Sequence, residues 1–205
     1  MNNDITTEPL LLDDEFGCLI VAESVCRDLD DILSDIQTAH GAAFVSLLKE
    51  IAFHPAFSPL DDDTHIYTVG GESGDDYANL LNAARKAVDH GYRVFILPNP
   101  KGIRTADFVF EKKGNYKSYD LKTIIGKGSA GTRLLDSIGQ SNRVLLNIHS
   151  DYNARLLASD IKTYFEVNET AVEVLIFKGK KYISINRFQV QGPMFNRLFR
   201  KQYEK

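Results

Sequence analysis

The chain is poor in the residues and runs that mark several large protein classes. Its only cysteines are Cys18 and Cys26; no Cys or His spacing suits a zinc site, and both read as ordinary thiols. No apolar run approaches the roughly 20 residues that span a bilayer. The acidic start Met1-Asn2-Asn3-Asp4 lacks the basic n-region of a signal peptide. The expectation is a soluble, cytoplasmic protein as written, unless a separate system delivers it to another cell. The order G-x-x-x-x-G-K-[ST] is absent, which removes a P-loop. No internal repeat is found. His149 has no second histidine at a supporting spacing, so histidine-based RNA cleavage has little to rest on.

What is present is an ordinary globular composition, 43% hydrophobic and 25% charged, on a chain long enough to bury a sizeable core. The net charge of -4 hides a division along the sequence. Residues 1–76 carry 17 of the 28 acidic side chains but only Arg27 and Lys49 of the 24 basic ones, a net of −15; residues 77–205 are net +11. A basic segment attracts a polyanion, and an acidic one repels it or occupies the basic face in its place. Two solvated surfaces would carry the same bias, so charge alone does not choose between these readings.

Hydrophobic spacing predicts a helix from Val21 to Ala39 and a second from Phe44 to Phe53, a helical pair whose wide apolar stripe must pack on something. His54 to Asp63, with two prolines and three consecutive Asp, reads as a loop. A strand at Ile66–Val69 and a helix at Asp75–His90, stopped by Gly91, come next. Strands at Arg93–Leu97, Asp107–Glu111 and Tyr116–Ile125 follow, the last two joined by a turn near Lys113-Gly114-Asn115. A helix at Thr132–Gln140, with Leu134, Leu135 and Ile138 on one side, leads to the apolar strand Val144–Ile148. A helix at Ala154–Phe165, strands at Val172–Phe177 and Tyr182–Ile185, and a basic helix from Met194 complete the chain. This is an α/β core with a mixed sheet. We divide it into an acidic N-terminal helical extension, residues 1–65, and a second unit, residues 66–205.

The chemistry concentrates at Asp107 and at Asp120-Leu121-Lys122. Alternation along a strand puts Asp120 and Lys122 on one face, and the hairpin can bring Asp107 alongside. Two neighbouring carboxylates repel, which favours a raised pKa or a divalent cation between them. Mg2+, or Mn2+ in its place, takes oxygen ligands and keeps waters, one of which can act as nucleophile. Lysine can orient or deprotonate that water, or stabilise charge developing on a phosphate. The spacing D-x12-D-x-K by itself arises often by chance; the order αβββαβ around it adds the weight.

In that order the chain resembles the PD-(D/E)xK nuclease superfamily, with Ala106-Asp107 in place of Pro-Asp and Asp120-Leu121-Lys122 as the (D/E)xK element. His90-Gly91-Tyr92-Arg93-Val94 and Gly139-Gln140-Ser141-Asn142-Arg143-Val144 extend the likeness to the C-terminal nuclease domains of contact-dependent growth inhibition toxins, over roughly residues 66–187. The resemblance implies a restriction-endonuclease-like αβββαβ core and a metal-dependent nuclease that acts on RNA, commonly tRNA, ahead of DNA, with a cognate immunity protein as partner. It makes Asp107 and Asp120 metal ligands and Lys122 the catalytic lysine. It also asks for an acidic residue on the first helix, where Glu72 is chosen over Asp75 and Asp76, and it gives Gln140 the role of contacting substrate or tuning the site. Lys127, in the Gly126-Lys127-Gly128-Ser129 loop, and Arg104 join Gln140 as nucleic-acid contacts. The alternative is a non-catalytic nucleic-acid-binding or protein-interaction module on the same fold, regulated by the acidic N-terminal segment.

Overall fold

The structure is a computed structural model and describes residues 27–71, 73–100, 102, 105–126 and 129–205. Cys18, Cys26, Glu72, Arg104, Lys127 and the first part of the expected helix at Val21–Ala39 lie outside the described residues.

Among the described residues, eight strands form one mixed sheet in sequence order. They are β1 (Ser58–Pro59), β2 (Ile66–Thr68), β3 (Arg93–Ile96), β4 (Phe108–Lys112), β5 (Asn115–Ile124), β6 (Arg143–Ile148), β7 (Glu173–Lys178) and β8 (Lys181–Asn186). The helices are α1 (Leu29–Asp35), α2 (Gly41–Ala52), α3 (Asp75–Asp89), α4 (Ala130–Asp136), α5 (Ala154–Val167), α6 (Arg187–Gln191) and α7 (Phe195–Glu204). From α3 to β6 the order is αβββαβ, as expected. The strand pairs β2/β3, β5/β6 and β6/β7 run parallel; the other neighbours are antiparallel.

Local chemistry sets the element ends. The side chain of Asp28 accepts from the Asp30 amide at 2.8 Å and caps α1, so that helix begins at Leu29. Gly91 takes φ +79° and stops the chain after α3, a conformation that a Cβ disfavours. The β4–β5 turn uses Lys113 (φ 53°) and Gly114 (φ 78°). Two positive φ values in a two-residue loop match the right-handed twist of the strands. Helix α4 starts two residues earlier than its periodicity suggests, because the Ser129 hydroxyl accepts from the Thr132 amide at 3.2 Å. Only Leu134 of the expected apolar side is buried; Leu135 and Ile138 are exposed. The helix ends at Asp136, so Ile138 never joins its face. Helix α6 has no counterpart in the periodicity of the sequence; a reciprocal cap between Asn186 and Gln189 nucleates it.

Three apolar clusters organise the molecule. Ile66, Ala83, Ala84, Ala87, Val94, Phe108, Phe110 and Tyr119 pack α3 onto one face of the sheet. On the other face, Ile32, Leu33, Leu48 and Ile51 of α1 and α2 pack against Phe95, Leu97 and Val109. Farther along that face, α4, α5 and α7 cover Ile124, Val144, Leu146, Val174 and Ile176. The N-terminal helical pair is thus packed on the sheet through its apolar stripe. Between these last two clusters Ser118, Asp120 and Lys122 run along β5, and here the apolar covering is interrupted.

Candidate active site

Strand alternation places Asp120 and Lys122 on the face of Ile124, opposite Tyr119 and Leu121. Parallel pairing with β6 sets Asp120 beside Val144 and Lys122 beside Leu146. Asp107 occupies the bend before β4; its amide donates to the Tyr119 carbonyl at 3.0 Å and its carbonyl accepts from Leu97 at 2.9 Å. Its side chain reaches across to β5, where Oδ2 accepts the Leu121 N–H at 2.6 Å. The strand that carries one carboxylate therefore holds the other.

Lys122 Nζ donates to Asp120 Oδ1 at 2.8 Å and lies 2.7 Å from Oδ2. Asp120 Oδ2 is buried and accepts no hydrogen bond of good geometry. Gln140, just beyond α4, meets the same amine: Lys122 Nζ lies 3.5 Å from its Oε1, while Gln140 Nε2 donates to the Asp136 carbonyl at 3.1 Å. Asp107, Asp120, Lys122 and Gln140 are thus brought together.

The electrostatics are those of a buried carboxyl, Asp120, beside a partly buried one, Asp107. Burial pushes Asp120 up, Lys122 pulls it down, and Asp107 pushes it up again, for a pKa of about 7. Burial also raises Asp107, against the opposing pull of the Leu121 amide and Lys122.

Asp107 and Lys122 line a cleft of about 610 Å³. Asp76 and Asn79 of α3 form one wall, and Arg133 and Asp136 of α4 another. Of the acids at the start of α3, Asp76 thus reaches the cleft; Glu72 lies outside the described residues. Arg133 and Asp136 are site residues that the sequence reading misses, although their spacing of three on a helix puts them on one side and could have flagged them. Gln140 also lines a neighbouring cavity of about 380 Å³, between Phe44 of α2 and Ser118 of β5.

His149 belongs to a different group. Lys86 Nζ, which can only donate, is 2.6 Å from Asn147 Oδ1. The Asn147 amide nitrogen must then donate to Asn82 Oδ1 at 3.0 Å and to His149 Nε2 at 2.9 Å. Burial and the nearby Lys86 lower the His149 pKa, and the ring is held by the Asn147 amide.

Among the described residues no group of three or more His, Cys, Asp or Glu gathers for a metal. The donor set still fits magnesium, which is commonly held by one or two carboxylates and keeps several waters. Asp120 Oδ2 is a buried oxygen whose partner is the Lys122 amine, 2.7 Å away and outside hydrogen-bond geometry, and a cation could take that place.

No family model matches the chain, and no curated protein matches it. A chain of the CdiA-CT/CdiI toxin and immunity complex from Burkholderia pseudomallei is similar at 16% identity, over 57% of this chain and 92% of that chain, with a TM-score of 0.41. A likeness of that extent assigns nothing to the site, whose reading rests on its own residues.

Proposed function

We infer that the chain is a metal-dependent nuclease that hydrolyses phosphodiester bonds, in RNA ahead of DNA. The observation that supports this most is that Asp107 and Lys122 line one cleft, with the Asp120 carboxyl buried directly behind the Lys122 amine. Asp107 and Asp120 would hold Mg2+ or Mn2+, which supplies a Lewis acid and a water of lowered pKa. Lys122, steadied by Asp120 and Gln140, orients the attacking water or neutralises charge gathering on the phosphate. The Leu121 amide fixes the Asp107 carboxylate. Arg133, which also lines the cleft, would pair with a substrate phosphate. A toxin-type role, with an immunity protein as partner, is the biological setting that the sequence resemblance adds.

The test is cleavage of a mixed tRNA or plasmid substrate with Mg2+ or Mn2+. Asp120→Ala abolishes the cutting; equal activity in that variant overturns the assignment. One observation favours a second reading, a non-catalytic nucleic-acid-binding module: Lys122 already neutralises Asp120 at 2.7 Å. Absence of Mn2+ binding by calorimetry in the intact chain, with nucleic-acid binding retained, would select it.

A further inference from the structure

Away from the cleft, α5 and α7 enclose a groove of about 570 Å³. Arg155 contributes from α5, and Arg197, Arg200 and Lys201 from α7; Glu204 is the acid on its lining. Arg200 Nε is 3.3 Å from Glu204 Oε1. No ion pair engages Arg155, Arg197 or Lys201 among the described residues. Like charges held in a concave surface repel one another and focus a positive field, which a polyanion relieves.

The cations are also held on a rigid mount. Phe195, Phe199 and Tyr203 recur every four residues and are buried, so they anchor one side of α7 in the core and turn Arg197 and Lys201 outward. Arg155 sits in the first turn of α5, whose cap Asn153 accepts from the Arg155 and Leu156 amides at 2.9 and 3.2 Å. The same apolar cluster joins α4, α5 and α7 over the face of the sheet that carries Asp120 and Lys122. The helices that form the groove therefore lie on the sheet face that carries Asp120 and Lys122.

We propose that the groove between α5 and α7 is a second nucleic-acid site, which grips backbone phosphates of the substrate at a distance from the cleft. The proposal rests on the nuclease reading for the word substrate, and on the groove's own charge for binding. Backbone phosphates suit it because separate cations at the ends of long side chains meet separate phosphates, without demanding a base sequence.

Binding of a fluorescent single-stranded RNA, followed by anisotropy in EDTA, tests the groove whether or not the chain cuts. The variant Arg155→Ala/Arg197→Ala/Lys201→Ala should weaken binding roughly tenfold or more at about 0.1 M salt. It should also reduce the slope of log affinity against log salt by roughly 2, at ~0.7 for each phosphate that no longer meets a cation. Arg197→Lys, which keeps the charge, should retain most of the affinity and guards against a folding artefact. Unchanged affinity and slope in the triple variant overturn the proposal. So does a loss confined to vesicles of anionic lipid, with RNA and duplex DNA binding intact. If the triple variant loses RNA binding while the parent chain never cuts with Mg2+ or Mn2+, the groove stands and the nuclease reading falls.

Discussion

The Leu121 backbone N–H donates to Asp107 Oδ2 at 2.6 Å, and with the Asp107 amide's bond to the Tyr119 carbonyl at 3.0 Å it ties the loop before β4 to the strand that bears Asp120 and Lys122. It also separates two roles of Asp107. Asp107→Ala leaves a part-buried amide without an acceptor, at a cost of about 1–3 kcal/mol; Asp107→Asn keeps an oxygen acceptor. Both variants should lose metal-dependent cutting. In urea titrations the midpoint of Asp107→Ala should fall well below that of Asp107→Asn, and equal midpoints would show that the bond contributes nothing to stability.

The pH dependence follows from Asp120. Its folded pKa of about 7 lies above its ordinary value of 3.8, so between these values the folded state binds more protons than the unfolded one. By linkage, this group stabilises the fold at low pH and the contribution is lost as pH rises toward 7, flattening above it. Asp120→Asn should remove that slope from a thermal-melting series between about pH 5 and 8. A cation at this site competes with protonation of Asp120, so Mg2+ should raise the melting temperature more at pH 8 than at pH 5. A Mg2+ effect independent of pH would place the cation elsewhere.

Glu173 behaves in the opposite sense. It is buried and accepts from Ser184 at 2.6 Å, Lys117 at 2.9 Å and the Tyr119 hydroxyl at 3.0 Å. Burial pushes its carboxyl up, but these partners outweigh it and hold the pKa below the usual 4.5. Its contribution is present above that value and is lost as pH falls through the folded pKa. Glu173→Ala strands three donors and should cost about 3 kcal/mol or more, read as a lower urea midpoint with the cleft residues untouched.

Lys113 holds a positive φ of 53° in the β4–β5 turn, where asparagine is far better tolerated. Lys113→Asn should stabilise the fold by a few tenths to about 1 kcal/mol. No change in the denaturation midpoint would mean that the turn conformation is not strained.

The alternation of Phe108, Phe110 and Tyr119 against the polar Asp120 and Lys122 was legible because a strand has only two faces. So was the αβββαβ order, since helix and strand periods differ and Gly91 and Lys113-Gly114 punctuate them. The convergence of Asp107 on β5 was readable as a hairpin expectation, but the bond to the Leu121 amide was not, because it depends on where β4 ends. Arg133 and Asp136 entered the cleft only through the packing of α4.

By itself, then, the sequence determined which residues alternate, where the chain turns, and that Asp120 and Lys122 would share one strand face with Asp107 near the mouth of the same hairpin, all consequences of local backbone geometry. Only the tertiary structure decided that Leu135 and Ile138 face solvent, that α1 and α2 cover β3 and β4, that Glu173 meets Lys117 and Tyr119 across more than 50 positions, and that Arg155 joins the cations of α7. Those outcomes depend on which surfaces are buried against each other, and burial is a property of the assembled sheet rather than of any window of residues.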